Sequence, residues 1–354
     1  MKYPEFLKEN GTIGFAAPSF GCAIEPYRTA FVHAQEKWKN QGYQLQLGPN
    51  CYADDGIGIS STPENCGREL TDSYCENDND VIISCGGGEL MCETLDHIDF
   101  DKIREVNPKW FMGYSDNTNF TFLLTTLCDT ASIYGPCAAA FGMEPWHQAV
   151  QDAFDLLCGR NISDGKEISL QGYPLWEKES LKDEEHPLEP YQVTEPSVLH
   201  LYQGKTETDS LQIEGRLIGG CLDCLSNLVG TKFDQVAEFA ERYKEDGILW
   251  FIESCDLNVM GIRRAMWQLE HAGWFHHVKG FIIGRPLCHG ENLMGLDQYH
   301  AVLDIIGHYN VPVIMDADLG HIPPMVPVIC GSVSRVTANR TDGNSTWHID
   351  MQLR

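Results

Sequence analysis

Residues 108–120 of the chain, Pro-Lys-Trp-Phe-Met-Gly-Tyr-Ser-Asp-Asn-Thr-Asn-Phe, are the stretch that decides the fold. The apolar start, with Trp110 and Phe111, predicts the end of a buried strand, and the residues from 117 to 126 predict a helix. Between them, Gly113-Tyr114-Ser115-Asp116 predicts a sharp turn. A strand–turn–helix of this kind is a nucleophile elbow, which exposes one hydroxyl above a sheet and directs backbone N–H groups toward it. Asn117 stands where the usual elbow has a second glycine, so Ser115 as an ordinary helix N-cap is the alternative.

Working outward from this stretch, short apolar strands alternate with helices through the first half of the chain. This alternation predicts a largely parallel sheet with helices on both faces. After Gly215 the sequence is richer in strands, which favours a smaller, mixed or barrel-like second domain. The predicted elements are strands at 12–19 (ending in a Pro-Ser turn), 43–47, 80–85, 131–136, 215–220, 247–253, 278–283, 311–315, 325–330, 334–338 and 346–351, and helices at 26–41, 64–77 and 258–272.

The predicted domains are residues 1–160, an N-terminal α/β domain with the elbow, and residues 211–354, a C-terminal domain. Residues 161–210 interrupt the alternation with the turn Asp164-Gly165, several prolines and a charge run from Glu177 to Glu189. Such a polar, proline-containing segment is typical of a crossover between domains or of a lid over a cleft. A solvated linker is the alternative for most of it.

The composition excludes several classes of partner. The chain has 354 residues, with 51 acidic and 25 basic side chains and a net charge of −26, which argues against nucleic acids and anionic membranes as partners. There is no apolar leader and no long apolar span, so neither a signal peptide nor a transmembrane helix is predicted. Fourteen cysteines without an export signal are expected to remain thiols, which predicts a cytoplasmic protein.

An active serine needs a base, and His321 is the candidate among 13 histidines. It lies in a loop after an apolar strand, next to a Pro pair, whereas a hydrogen-bonded turn histidine is the alternative. Glu253 ends the most apolar strand of the second half, and a carboxylate there needs a partner, which an imidazole can supply. The alternatives are a pair of Glu253 with Arg263 or Arg264, and orientation of the histidine by Asp316 or Asp318.

The run Gly86-Gly87-Gly88 follows a predicted strand and allows close backbone approach, with a phosphate cradle as the other interpretation. The spacing Gly-x-Gly-x-x-Gly is absent. Metal chemistry is not predicted, because Cys221-Leu222-Asp223-Cys224 has no second cysteine pair at zinc spacing and His-Glu-x-x-His does not occur.

Together these stretches resemble the LD-carboxypeptidase family of serine peptidases, in the family's order and over nearly the whole chain. The resemblance implies a Rossmann-like (flavodoxin-like) N-terminal domain, a C-terminal α/β domain with a small β-barrel, a homodimer and no cofactor. It implies that Ser115 is the nucleophile, His321 the base and Glu253 its orienting group. The N–H of Asp116 and one from Gly86 or Gly87 would form the oxyanion hole. The matching stretches are 11–13, 17–19, 86–87, 113–116, 134–136, 215–220, 249–253, 280–284 and the His321 loop.

The implied activity is hydrolysis of an amide bond in a small peptide such as a murein tetrapeptide. A microcin C immunity-type amidase, which cleaves peptidyl-aspartyl nucleotide conjugates, is the alternative, and a catalytically silent binding homologue is a further one. Gly219 and Gly220 border the implied substrate pocket, although Cys221 follows them where the family usually has Asn. Trp176 either stacks on a nucleotide base or packs its loop onto the body. The candidates to hold a substrate carboxylate are Arg285, Arg216 and Arg263.

Overall fold

The computed structural model describes residues 1–160, 162–163, 166–341 and 344–354, so the predicted Asp164-Gly165 turn lies outside the described residues. The chain divides into two compact units. The first comprises Met1–Asn161 and Glu179–Gln192, and the second comprises Ile162–Lys178 and Val193–Arg354. The boundaries drawn from the sequence at 160/161 and 210/211, and the lid role of residues 161–210, stay predictions.

The first unit is built on parallel strands, as the alternation of strands and helices predicted. Its helices are α1 (Tyr27–Asn40), α2 (Pro63–Cys75), α3 (Met91–Thr94), α4 (Phe100–Glu105), α5 (Thr118–Thr126) and α6 (Gln148–Leu157). Its strands are β1 (Thr12–Ala16), β2 (Gln44–Leu47), β3 (Val81–Ser84), β4 (Trp110–Gly113) and β5 (Ser132–Tyr134).

These five strands pair in the order β2–β1–β3–β4–β5, and every pairing is parallel. This is the flavodoxin-like order, so the prediction for the N-terminal fold is confirmed. Strand β3 is buried along its whole length, as expected for a parallel strand covered on both faces. In such a sheet the carboxyl ends of all strands lie along one edge, where ligands bind. The residues that follow β1, β3 and β4 therefore come together at that edge.

The second unit carries a mixed sheet. Its helices are α7 (Leu222–Leu228), α8 (Val236–Arg242), α9 (Val259–His271) and α10 (Gln298–Ile306). Its strands are β6 (Ile162–Ser163), β7 (Glu167–Gln171), β8 (Leu175–Glu177), β9 (Val193–Pro196), β10 (His200–Gln203), β11 (Thr206–Glu207), β12 (Ser210–Cys221), β13 (Ile248–Glu253), β14 (Val278–Gly284), β15 (Asn292–Leu293), β16 (Leu296–Asp297), β17 (Pro312–Ala317), β18 (Val328–Cys330), β19 (Val333–Thr341) and β20 (Asn344–Gln352).

Ten strands of this unit pair in the order β11–β10–β17–β14–β13–β12–β19–β20–β7–β6. The central pairs β12–β13, β13–β14 and β14–β17 are parallel, and the flanking pairs are antiparallel. Over the described residues this ladder has two ends, so the small barrel that the resemblance implies is not observed there as a closed ring. Strands β8 and β9 form a separate two-stranded antiparallel sheet.

The sequence missed several elements of the second unit. Helices α7, α8 and α10 were not predicted, nor were the strands between residues 162 and 207 or the short strands β15 and β16. The strands β8 and β9 are short and polar, with the sequences Leu-Trp-Glu and Val-Thr-Glu-Pro, so they lack the apolar alternation by which strands are recognised. Among the described helices, none has the length and apolar character needed to cross a membrane.

Candidate active site

The second unit brings His321 and Glu253 into direct contact. Strand β13 is buried at every position and ends in Glu253, whose side chain is 0% exposed. A carboxylate at such a place requires a polar partner, and Nδ1 of His321 lies 2.8 Å from Glu253 Oε2. Because a carboxylate only accepts, Nδ1 carries the proton of this hydrogen bond. The bond therefore sets the tautomer in which Nε2 is the proton-accepting nitrogen of His321.

Two opposing effects act on the pKa of His321. Burial of the imidazole lowers its pKa, but the negative charge of Glu253 and hydrogen bonds with Cys255 and Glu253 outweigh burial. The pKa of His321 is consequently raised well above its ordinary value. An imidazole in this setting is oriented by the carboxylate and is stabilised when it takes up a proton.

Two glycines make room for this pair. Gly320 has a φ of +100°, and a methyl group on it would lie 2.7 Å from Cβ and 2.8 Å from Cδ of Glu253. A methyl group on Gly284 would lie 2.9 Å from Glu253 Cβ. Separations under about 3 Å are not observed for real Cβ atoms. A larger residue at either position would displace the Glu253 side chain.

The other carboxylates proposed to orient His321 are occupied elsewhere. Asp316 accepts hydrogen bonds from Gln298 Nε2 and from the Tyr299 hydroxyl, both at 2.7 Å. Asp318 accepts bonds from several groups of its own surroundings: Tyr173 N (2.9 Å), Ser197 Oγ (2.9 Å), Trp347 Nε1 (3.2 Å) and Arg285 Nη2 (3.3 Å).

The arginine alternative for Glu253 is likewise not observed for Arg263. Arg263 donates to Asp304 Oδ2 at 3.0 Å. Glu253 is thus the carboxylate that holds His321.

The first unit places Ser115 in the predicted turn. Strand β4 ends at Gly113, and a short 3₁₀ helix, Ser115–Asn117, leads into α5. Ser115 has a φ of +63°, a left-handed conformation that is uncommon for a residue other than glycine and is typical of strained functional turns. The residue at the cap of α5 is Asn117. The conformation of Ser115 is therefore that of an elbow residue and differs from that of an ordinary N-cap, whose φ is negative.

The glycine run after β3 lies against this serine. A methyl group on Gly87 would lie 3.1 Å from both Cβ and Oγ of Ser115, so only a glycine leaves the hydroxyl uncrowded. Asn117 Nδ2 donates to the carbonyl oxygen of Gly86 at 2.8 Å. The residue that departs from the usual elbow pattern thus ties the turn to the glycine run. Ser115, Gly86 and Gly87 come together at the carboxyl edge of the parallel sheet.

The side chain of Asp116 connects the turn to neighbouring loops. Its buried carboxylate accepts hydrogen bonds from Ser19 Oγ at 2.6 Å, from Met91 N at 2.8 Å and from Asn119 Nδ2 at 3.0 Å. Through these hydrogen bonds the Asp116 carboxylate links the turn to the segments that follow β1 and β3. The backbone N–H of Asp116 lies in the first turn of the 3₁₀ helix Ser115–Asn117.

The residues predicted to bind substrate fall into two groups. Gly219 and Gly220 lie in β12, and a methyl group on Gly219 would overlap the carbonyl oxygen of Phe251 in the neighbouring β13. Trp176 lies in β8, half-buried, with the Arg285 guanidinium 4.9 Å from its ring centre and the His289 ring 5.5 Å away. Arg285 is itself buried, and its Nη1 has no hydrogen-bond partner among the described residues.

Several residues of the site were missed from the sequence. Gly320 and Gly284 lack side chains and so leave the space that the Glu253 side chain occupies. Cys255 approaches His321 closely enough to raise the pKa of its imidazole. Gly320 directly precedes His321, so a glycine next to the candidate base was the available signal. No local signal indicated Gly284. The sequence does place Cys255 near the predicted site, where it was expected to be a buried small apolar residue, but it is only half-buried.

Known proteins share this architecture. The sequence profile of the LD-carboxypeptidase N-terminal domain matches residues 13–135, and that of the C-terminal domain matches residues 214–336. The microcin C7 self-immunity protein of Escherichia coli is 25% identical over 333 residues, covering 92% of this chain and 90% of that protein. A probable murein peptide carboxypeptidase of Bacillus subtilis strain 168 is 24% identical over 349 residues, covering 96% and 92%.

A solved structure extends the likeness to the whole fold. The microcin C7 self-immunity protein in complex with aspartyl sulfamoyl adenosine matches with a TM-score of 0.79 at 20% identity, covering 99% of this chain and 98% of that one. The two-domain α/β fold inferred from the sequence is therefore confirmed. Since the two domain profiles together span well over half of its length, the chain belongs to the LD-carboxypeptidase family and is a serine-type hydrolase of that family.

Proposed function

We propose that this protein is a serine carboxypeptidase that hydrolyses an amide bond in small peptides such as murein tetrapeptides. Ser115 is the nucleophile, His321 the general base and Glu253 the residue that orients His321. The observation that carries the proposal is the buried 2.8 Å hydrogen bond between His321 Nδ1 and Glu253 Oε2. A histidine held in this way is the base that a hydroxyl nucleophile requires.

The reaction follows the chemistry of a serine peptidase. Ser115 Oγ attacks the amide carbonyl while its proton passes to His321 Nε2. The resulting oxyanion is stabilised by the N–H of Asp116 and by one from Gly86 or Gly87. His321 then gives the proton to the leaving amine, and a water molecule, activated by the same imidazole, hydrolyses the acyl-enzyme. Glu253 stabilises the imidazolium without taking its proton.

The conformation of Ser115 supports its role as the nucleophile. A φ of +63° is energetically unfavourable for serine and persists only where its surroundings enforce it. Here the enforcing contacts are those of Asp116 and Asn117, and Gly87 leaves space beside the hydroxyl. Ser115 belongs to the first unit and the His321–Glu253 pair to the second. That the three residues act together as a triad is therefore part of the proposal.

A second candidate, an amidase that acts on peptidyl-aspartyl nucleotide conjugates, is favoured by the surroundings of Trp176. Its indole is half-buried, packs over Arg285 and donates from Nε1 to the carbonyl oxygen of Pro196 at 3.2 Å. This aromatic surface suits a nucleotide base, and the microcin C7 self-immunity protein was solved with aspartyl sulfamoyl adenosine. Arg285 then acts beneath Trp176 as its support.

The test is mass spectrometry of wild-type protein with two substrates, a murein tetrapeptide ending in D-Ala and a peptidyl-aspartyl sulfamoyl adenosine. Release of D-Ala supports the carboxypeptidase, whereas cleavage of the conjugate alone supports the amidase. Ser115→Ala is expected to lower the turnover of whichever substrate responds by on the order of 10⁴-fold or more. Ser73→Ala, on helix α2, is the matched control and is expected to leave turnover unchanged.

Two results would contradict the proposal. If Ser115→Ala retained wild-type turnover, Ser115 would not be the nucleophile. If wild-type protein cleaved neither substrate and a fluorophosphonate probe failed to label Ser115, the catalytically silent binding homologue would be the better interpretation.

A further inference from the structure

A thiol lies beside the His321–Glu253 pair. One potential ligand atom from each of Cys221, Glu253 and His321 lies within 4.8 Å of the other two. Cys221 and Glu253 are 2% and 1% exposed, so these groups face each other away from bulk water. The proposed hydrolysis uses the carboxylate and the imidazole but gives the thiol no role.

The sheet holds the three groups in place. Cys221 is the last residue of β12 and Glu253 the last of β13, and the two are direct partners in the parallel pairing of these strands. His321 comes from the loop that follows β17, another parallel strand of the same sheet. All three groups thus project from the carboxyl edge of one rigid element, which is where a preformed site can be built.

Thiolate, imidazole and carboxylate are the ligands that Zn²⁺ and the softer Cd²⁺ prefer. Three protein ligands with a fourth position left to water is the arrangement of open tetrahedral sites. The surroundings add negative charge, because Cys221 Sγ donates to Asp223 Oδ2 at 3.4 Å and that carboxylate also accepts from Cys255 N. A cation is favoured in such surroundings.

We propose that Cys221 Sγ, the Glu253 carboxylate and a ring nitrogen of His321 form a binding site for one Zn²⁺ or Cd²⁺ ion, and that the bound ion inhibits the enzyme. The Cys221 thiol loses its proton to solvent, and His321 binds as a neutral imidazole that keeps one proton on the ring nitrogen directed away from the ion. The hydrogen bond between His321 and Glu253 is then replaced by bonds from the thiolate, the imidazole and the carboxylate to the ion. Glu253 then binds the ion and no longer orients His321.

The binding part of this inference is independent of hydrolysis, whereas the inhibition rests on the proposed function. Zinc-site spacing within the sequence did not reveal the site, because Cys221 meets its co-ligands only through sheet pairing.

The test is a Cd²⁺ titration of the reduced full-length protein under argon, followed by the ultraviolet charge-transfer absorption of the Cd²⁺–thiolate bond. A tight phase of one equivalent is expected for the wild type. Cys221→Ser is expected to lower the Cd²⁺ affinity of that phase by more than about tenfold. Even the loss of a residue that only supports a metal ligand lowers metal affinity by about that factor. Cys255→Ser is the matched control, because its thiol also contacts His321 but lies outside the cluster.

Retention of the tight phase in Cys221→Ser, its loss in Cys255→Ser, or its absence from the wild type would each overturn the site. His321→Gln tests it independently if Cys221→Ser does not fold, and the same loss of affinity is expected. Since absorption needs no substrate, these outcomes are separate from those that test hydrolysis. With an active preparation, Cd²⁺ is expected to inhibit the wild type at concentrations that leave Cys221→Ser active, and equal inhibition of both would refute the inhibitory role.

Discussion

At the scale of single residues, the hydrogen bond between His321 and Glu253 explains how this imidazole acquires its chemical properties. Asp316 and Asp318 are much nearer to His321 in the sequence, yet each has its own donors. Glu253 is 68 positions away along the chain and lies at the end of a strand that contributes only apolar side chains before it. The choice of orienting carboxylate thus depends on which strand end the His321 loop reaches.

Glu253→Gln is expected to lower kcat by on the order of 10⁴-fold, as amide substitutions of triad carboxylates do. The variant is also expected to change the pH profile. His321 acts as a base only when neutral, so its raised pKa shifts the ascending limb of kcat/KM to a higher pH than an ordinary histidine would give. Removing the charge of Glu253 lowers that pKa, so the residual activity should rise at a lower pH than in the wild type. Steady-state kinetics across pH measure both effects.

The control is Glu241→Gln, which alters another carboxylate–histidine pair at the surface, with Glu241 Oε2 3.1 Å from His277 Nε2. It is expected to change neither kcat nor the pH profile. An ascending limb that stayed in place in Glu253→Gln would show that a group other than His321 controls activity.

At the scale of elements, both candidate site regions are short turns at the carboxyl ends of parallel strands. Ser115 lies two residues after the end of β4 at Gly113, and Gly320 and His321 lie in the loop that follows β17. Both turns contain a residue with positive φ, at Ser115 and at Gly320. In the first turn the positive φ falls on the candidate nucleophile, where it is unfavourable, and in the second it falls on the glycine beside the base, which adopts it without strain.

Gly320→Ala is expected to impair catalysis and stability together. A side chain at φ of +100° costs about 1 to 2 kcal/mol on backbone grounds, and the added methyl group must push Glu253 away. Displacement of the orienting group is expected to lower kcat/KM on the order of 10²-fold. Denaturant unfolding and kinetics on the same preparation measure the two effects.

Gly230→Ala separates the two causes, since Gly230 has a φ of +73° but no atom within 4 Å of an added methyl group. It should lose stability on the same backbone grounds while keeping kcat/KM unchanged. Equal kcat/KM for Gly320→Ala and Gly230→Ala would show that Gly320 has no part in positioning Glu253.

At the scale of the whole molecule, a buried acidic residue makes stability depend on pH. Most of the 51 carboxylates are expected at the surface, but Glu69 on α2 is buried, at 4% exposure. Burial raises the pKa of Glu69 to about 7, although hydrogen bonds from Asn50 N and Ala17 N oppose the rise. The folded protein therefore favours the protonated carboxyl, and ionisation of Glu69 opposes folding.

Glu69→Gln is expected to flatten the pH dependence of stability. In the wild type the unfolding free energy should fall as the pH rises from about 4.5 to about 7, by up to about 3 kcal/mol from this residue. The variant should lack that part of the decline, so its stability relative to the wild type should improve between pH 5 and pH 8. Urea unfolding at the two pH values measures this difference.

Glu64→Gln, a change to an exposed residue of the same helix, serves as the comparison and should leave the decline in place. If Glu69→Gln and Glu64→Gln showed the same pH dependence, burial of Glu69 would not control the titration.

Much of this protein was determined by its sequence alone. Apolar runs with turn residues between them predicted the parallel strands of the first unit, and the turn at residues 113–116 predicted the elbow. These features depend on hydrophobic periodicity and turn chemistry, which act over a few neighbouring residues. His321 and Glu253 could be named as candidates because each ends or follows a conspicuously apolar strand.

Only the tertiary structure decided which of these groups meet. The contact of His321 with Glu253, the space that Gly320 leaves for that contact and the position of Cys221 beside Glu253 all depend on strand order and register in the second sheet. Register depends on many weak contacts between distant segments, and a shift of one residue would turn these side chains to the other face. Such long-range pairing leaves no signal in the local sequence.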